Sequence, residues 1–153
     1  MTHSIDHLNL VVRDLETTVR FYRDLLGFQQ TNRATLQGDW IDAVAGLPGI
    51  QAEVVFLELP GNGPRIEVLQ YLTPIGQNLP ANSLANTFGL RHFALRISDM
   101  TATVARLRAA GVQFVGNPVE VPAGILKGSN VRKTLCYFHD PDGVLLELAE
   151  YHE

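Results

Sequence analysis

One pattern occurs twice in this chain, and the recurrence limits the fold more than any other feature. Residues 5–28 read IDHLNLVVRDLETTVRFYRDLLGF, and residues 90–114 read LRHFALRISDMTATVARLRAAGVQF. His7 falls on His92, Asp14 on Asp99, and Thr18-Val19 on Thr103-Val104, each at an offset of 85. A recurring segment marks one supersecondary unit used more than once. The 153 residues are therefore read as two copies fused into one domain: a first module at 1–72, a linker at 73–89 and a second module at 90–153.

Each copy opens on an alternating apolar run, Leu8-Leu10-Val12 or Phe93-Leu95-Ile97, which predicts a strand. Asp14 or Asp99 follows, placed to accept from the free N–H groups of a helix's first turn. Apolar residues then recur at helical spacing: Leu15, Val19, Tyr22 and Leu26 in one copy, Met100, Val104 and Leu107 in the other. Gly27 and Gly111 end the helices. Strand-like runs at Glu53–Leu59 and Arg65–Tyr71 close the first copy, and Thr134–Phe138 and Val144–Ala149 close the second. Turn-rich PGNGP (60–64) and DPDG (140–143) join them. The linker holds a short helix around Leu79–Asn86. Two stretches, 34–50 with Trp40 and 116–131, have no clear counterpart and are expected to line or cover a site. The fold class is α+β: two paired βαβββ modules forming a curled mixed sheet, with helices outside.

Strand parity singles out four polar residues. Leu8, Leu10 and Val12 share a face, which leaves His7 and Asn9 on the other; His92 and Arg96 stand likewise opposite Phe93, Leu95 and Ile97. Glu67 shares a face with Leu69 and Tyr71, and Glu147 with Leu145 and Ala149. A carboxylate among apolar neighbours must be paired, protonated or bound to metal. If the apolar rows face the helices, the opposite faces can curl toward each other and the two imidazoles and two carboxylates converge. That donor set is suitable for a divalent Ni, Zn, Co, Mn or Fe ion. His3, His139 and His152 are read as ordinary surface or core residues, and Glu53, Glu58 and Glu150 as solvent-facing. Asn9, Trp40, Tyr71 and Arg96 are candidates for the substrate pocket, Trp40 more as core or lid packing. Lys127, Arg132 and Lys133 flank the glycine-rich stretch 124–130; they could meet an anionic substrate, but are read as a solvated loop.

Composition narrows the partners. The chain is 46% hydrophobic and 18% charged, enough for a core, and its net charge of -4 is spread without a basic run. No nucleic-acid partner is expected. The single cysteine, Cys136, excludes an internal disulfide and sits in an apolar run as a small buried hydrophobe. No stretch has the length of a membrane span, and MTHSIDH lacks the pattern of a signal peptide, so a cytoplasmic setting is expected.

The stretches IDHLNLVVRDLETTVRFYRDLLGF, IEVLQY, GLRHFALRISD and FHDPDGVLLELAEY resemble the vicinal-oxygen-chelate superfamily, across nearly the whole chain. That group includes glyoxalase I, methylmalonyl-CoA epimerase, extradiol dioxygenases, fosfomycin-resistance enzymes and bleomycin-binding proteins. The resemblance implies paired βαβββ modules, a homodimer, and one divalent metal on His7, Glu67, His92 and Glu147. Glu67 resembles the glyoxalase I arrangement, whereas the stretch around it resembles the epimerases. The function implied is a metal-dependent lyase or isomerase acting through a metal-stabilised enediolate on a small 2-oxo or 2-hydroxy carbonyl or thioester compound. Glu147 is the first candidate for its base and Glu67 the second. The alternatives are a ring-cleaving extradiol dioxygenase, disfavoured by the extra carboxylate at Glu67, and a metal-free drug-binding protein, disfavoured by the full donor set.

Overall fold

Each copy of the repeat folds into an open four-stranded mixed sheet in the computed structural model, which describes residues 4–61, 63–78, 84–122, 125 and 132–152. Contacts divide the chain into two compact units, Met1–Asn78 and Leu79–Glu153.

The first unit contains β1 (His7–Val11), α1 (Leu15–Arg20), β2 (Gln29–Gln37), α2 (Asp39–Ala45), β3 (Gln51–Glu58) and β4 (Arg65–Thr73). Its sheet runs β1-β4-β3-β2, with β1 parallel to β4 and the other pairs antiparallel. The second unit contains β5 (His92–Ile97), α3 (Met100–Ala109), β6 (Val119–Glu120), β7 (Arg132–His139) and β8 (Leu145–His152). Its order, β5-β8-β7-β6, repeats the first, again with only the outer pair β5-β8 parallel. The architecture is α+β.

The helices form where the sequence places them. Asp14 Oδ1 accepts from Thr17 N at 2.6 Å, and Asp99 Oδ1 from Ala102 N at 2.8 Å. Each thus satisfies one of the N–H groups a helix leaves open at its start. A second tie comes from the last strand of each unit. Gln70 Oε1 accepts from Leu15 N at 2.9 Å, and Glu150 Oε2 from Met100 N at 3.1 Å. Glu150 therefore lies on the α3 side of its sheet rather than facing solvent. Glu53 likewise takes Thr35 and Arg33, and Glu58 takes Thr31. Gly27 and Gly111 end the helical segments at φ 80° and 82°, where a side chain would be strained.

Two local outcomes differ from the simple periodic reading. The first helix keeps α geometry only to Arg20 and continues as a π turn over Phe21–Leu25. Tyr22, fully buried, makes edge contacts there with Phe21 and Phe28, while Leu26 is only half-buried. The stretch 34–50 is an integral part of the unit: it holds the end of β2 and all of α2. In the linker, residues 79–83 of the expected helix lie outside the described residues, and 84–89 form turns and bends.

Parity separates two faces in each sheet. Ile66 and Val68 of β4, with Val55 and Leu57 of β3, are buried on the α1 side. Leu146 and Leu148 of β8, with Cys136 and Phe138 of β7, are buried on the α3 side. Cys136 is a buried free thiol, and burial pushes its ionisation upward. The hairpin into β8 is tied by a buried carboxylate: Asp140 Oδ1 accepts from Asp142 N at 2.9 Å and Val144 N at 2.8 Å. Among the described residues no helix is long and apolar enough to cross a membrane.

Leu107 of α3 is fully buried. Leu107→Ala is expected to lower the unfolding free energy by about 2–5 kcal/mol in chemical denaturation. Hydrogen bonds from Thr17 hold the Asp14 carboxyl below its ordinary range, the backbone N–H foremost. Its contribution is present above about pH 3.9, the ordinary aspartate value, and fades as pH falls through the lowered folded value. The stability gap between wild type and Asp14→Ala is therefore expected to be widest near neutral pH and to close on acidification.

Candidate metal and acid-base site

Each sheet presents one histidine and one glutamate on the face turned away from α1 or α3, and the parallel ladder brings the two together. In the first, His7 pairs with Arg65 and Asn9 with Glu67. In the second, His92 pairs with Leu145 and Ala94 with Glu147. The offset is the same in both ladders, so the histidine starts one strand and the glutamate stands two residues further along its neighbour. His7 Nε2 lies 3.6 Å from Glu67 Oε2, and His92 Nε2 lies 3.3 Å from Glu147 Oε2.

The first pair is held from behind. Asp6 Oδ2 lies 2.8 Å from His7 Nδ1 and accepts from Arg65 Nη2 at 2.6 Å. Hydrogen bonds from His7 and Arg65 keep the Asp6 carboxyl below its usual range. A carboxylate on Nδ1 holds that nitrogen as a donor and orients the ring with Nε2 toward Glu67. Phe56, the register partner of Glu67, meets the His7 ring edge-on at 6.2 Å and carries the Arg65 guanidinium at 4.9 Å. Asn9 Nδ2 donates to Glu67 Oε2 at 2.7 Å. Asn9, a pocket candidate by parity, thus orients the carboxylate.

The second pair is more enclosed. Glu147 is 5% exposed, and its other oxygen, Oε1, lies 3.5 Å from Lys133 Nζ. Tyr137 occupies the place of Phe56: it is the register partner of Glu147, and its ring lies 5.0 Å from that of His92. Burial and then the nearby Glu147 carboxylate push the Tyr137 phenol upward, so it stays a protonated donor. Burial pulls the Lys133 ammonium down, but Tyr151 and Glu147 outweigh it and the net shift is upward.

Tyr137 was not singled out as a site residue by sequence, and Lys133 was named only among three cations that could meet an anionic substrate. Lys133 was read with a solvated loop, yet its side chain is 17% exposed and turned to Glu147. The parity that placed His7 applied to β7 as well: Lys133, Leu135 and Tyr137 share one face. Arg132 on the opposite parity pairs with exposed Glu120, and Lys127 lies outside the described residues.

The remaining candidates separate. Tyr71 is half-buried against Ile41, Ile50, Ala52, Val54 and Leu69, on the Glu67 face. Ile41 anchors α2 onto this face, and Asp42 ties the end of α2 to Gly49 N and Ile50 N. Trp40 does not enter that cluster and is 58% exposed, so core packing falls to its neighbour Ile41. Arg96 is exposed and stacks over Tyr151. His152 lies 2.8 Å from Thr134 Oγ1, apart from the Glu147 pair; His3 is outside the described residues.

The donor chemistry fits a divalent ion of borderline character. Each unit offers one imidazole nitrogen facing one carboxylate oxygen, and the first has the outer-shell carboxylate that metal-binding histidines ordinarily carry. Among the described residues of this chain no cluster of three or more such ligands is assembled; each unit brings together one imidazole and one carboxylate.

Comparison with known proteins agrees with this arrangement of strands. The chain is 29% identical over 146 residues to a probable lactoylglutathione lyase of Vibrio parahaemolyticus, covering 94% of this chain and 88% of that one. It is 26% identical over 151 residues to the mitochondrial methylmalonyl-CoA epimerase of Mus musculus, covering 95% and 72%. A glyoxalase family protein from Bacillus cereus superposes with a TM-score of 0.85 at 25% identity, covering 100% of this chain and 97% of that one. A family model matches residues 4–148, and the chain belongs to the Glyoxalase/Bleomycin resistance protein/Dioxygenase superfamily.

Proposed function

We propose that this protein is a divalent-metal-dependent lyase or isomerase of the glyoxalase I or epimerase type, using His7, Glu67, His92 and Glu147 as metal ligands. The observation that carries the reading is the repeated pair: an imidazole Nε2 facing a glutamate Oε2, at equivalent ladder positions in both sheets. Relatives named as a lyase and an epimerase support the reaction class.

When bound, the ion supplies Lewis acidity to two neighbouring oxygens of a small 2-oxo or 2-hydroxy carbonyl or thioester substrate. Glu147 then removes the proton from the adjacent carbon; in a lyase-type reaction the same carboxyl returns it to the neighbouring carbon, whereas an epimerisation takes its proton on the opposite face from a second acid, the role left to Glu67. Lys133 orients the Glu147 carboxylate from its Oε1 side. Tyr137 keeps a phenolic proton beside it, as a donor to developing negative charge. On the first sheet, Asn9 fixes Glu67, and the apolar surface of Phe56, Leu69, Tyr71 and Ile41 excludes water. Glu67 is the second candidate for the base.

Dialysis of the purified chain against Zn²⁺, Ni²⁺, Co²⁺ or Mn²⁺, followed by elemental analysis, is expected to show about one ion per chain, lost in His7→Ala and in His92→Ala. No retained ion in the wild type would sink the proposal. If the two pairs join across a homodimer, mixing these two variants restores binding; if they join within a chain, it does not. With hemithioacetals and acyl-CoA epimers as substrates, Glu147→Gln is expected to slow deuterium exchange at the substrate carbon by about 10²–10⁴-fold, read by NMR. Asp6→Ala, which frees His7 Nδ1, is expected to weaken metal affinity by about 10–100-fold while leaving the fold intact.

A further inference from the structure

The second sheet carries two cations that the first lacks. They flank Tyr151: the Arg96 guanidinium stands 4.9 Å from the ring centroid and the Lys133 ammonium 5.1 Å. Arg96 lies on β5 and Lys133 on β7, so they stand either side of β8 on its Glu147 face. Lys133 reaches Glu147 as well, at 3.5 Å. Among the described residues Arg96 forms no ion pair, and its guanidinium stacks on Tyr151. A guanidinium stacked on a ring keeps its planar edge of N–H donors available to a carboxylate.

The duplicated ladder shows what the sheet itself requires. Arg96 pairs with Ala149, and Lys133 with Tyr151. The matching places in the first sheet are Val11 beside Leu69 and Ala52 beside Tyr71. The tyrosine is common to both, but the first sheet forms the same ladder with valine and alanine around it. Neither cation is demanded by the strand pairing, and among the described residues Arg96 has no carboxylate partner.

We propose that Arg96 and Lys133 form an oxyanion subsite that receives a carboxylate of the substrate. The proposal rests on the reading of Glu147 as the base and narrows its substrate. Because Lys133 touches Glu147, the anionic group sits within a few bonds of the carbon that loses its proton. The substrate class is a short 2-oxo or 2-hydroxy acid, or a thioester whose acyl part carries a carboxylate. A phosphate at the far end of a long carrier does not meet that spacing.

Malonate and inorganic phosphate serve as probes, titrated calorimetrically into the full-length protein with and without Zn²⁺. Malonate is expected to bind, more weakly as salt rises, and Arg96→Gln and Lys133→Gln each to weaken it by about tenfold or more. Arg96→Val places in β5 the residue that β1 already carries at that position. It should keep the thermal midpoint of the wild type and lose malonate as Arg96→Gln does. Arg23→Gln, in the π turn that follows α1 and paired with Asp24, should bind malonate like the wild type. Unchanged malonate binding in the Arg96 and Lys133 variants, or none in the wild type, overturns the subsite. Phosphate bound more tightly than malonate, with the same losses, overturns the assignment to a carboxylate. Wild-type protein that binds malonate but retains no metal leaves the subsite standing and removes the proposed function; the reverse result removes the subsite alone.

Discussion

Everything at the site depends on one parallel strand pairing, made twice. Among the described residues, β1 and β4, and β5 and β8, are the parallel neighbours of their sheets. In a parallel ladder the offset between partners is constant along its length. A histidine at the start of one strand and a glutamate two rungs along its neighbour therefore meet in the same way in both units. The helix between the strands is held at its N-terminus by the closing strand itself, through Gln70 or Glu150. Strand, helix and return strand thus support one another, and the polar pair rests on the face this unit leaves open.

Much of that was legible in the residues. The offset of 85 and the period of two were enough to put His7, Asn9, Glu67, Arg96 and Glu147 on their faces without coordinates. The capping aspartates and helix-ending glycines were legible because each has a local cause. What stayed hidden depends on contacts distant in sequence. Asp6 meets the adjacent His7 while accepting from Arg65 of a different strand. Lys133 follows a glycine-rich stretch of sequence, and the pairing of β7 with β8 puts it on the face of Glu147. α2 is short, and Trp40 drew attention by its size, whereas the smaller Ile41 makes the contact with the sheet. Size and polarity say what a side chain can do; neighbours decide whether it does so.

The two copies keep a common frame and have diverged on its exposed side. Around Glu67, beside the polar group of Asn9, Asp6 and Arg65, the surface is aromatic and aliphatic, supplied by Phe56, Tyr71, Leu69 and the anchor of α2. Around Glu147 it is charged and hydrogen-bonding, with Lys133, Tyr137 and Arg96. Duplication permits this because each sheet satisfies its own backbone and buries its own apolar row. A side chain on the face away from the helix can then change without disturbing the apolar row of its own sheet.

The Asp140 turn sets a limit on how such a chain can vary. Its carboxylate holds two backbone N–H groups at the entry to β8 and so fixes where that strand begins. Moving the entry by a single residue would turn Leu146 or Leu148 outward and bury the glutamate against α3. Between β7 and β8, then, drift is confined to substitutions; an insertion or deletion there would exchange the inside of the protein for its outside.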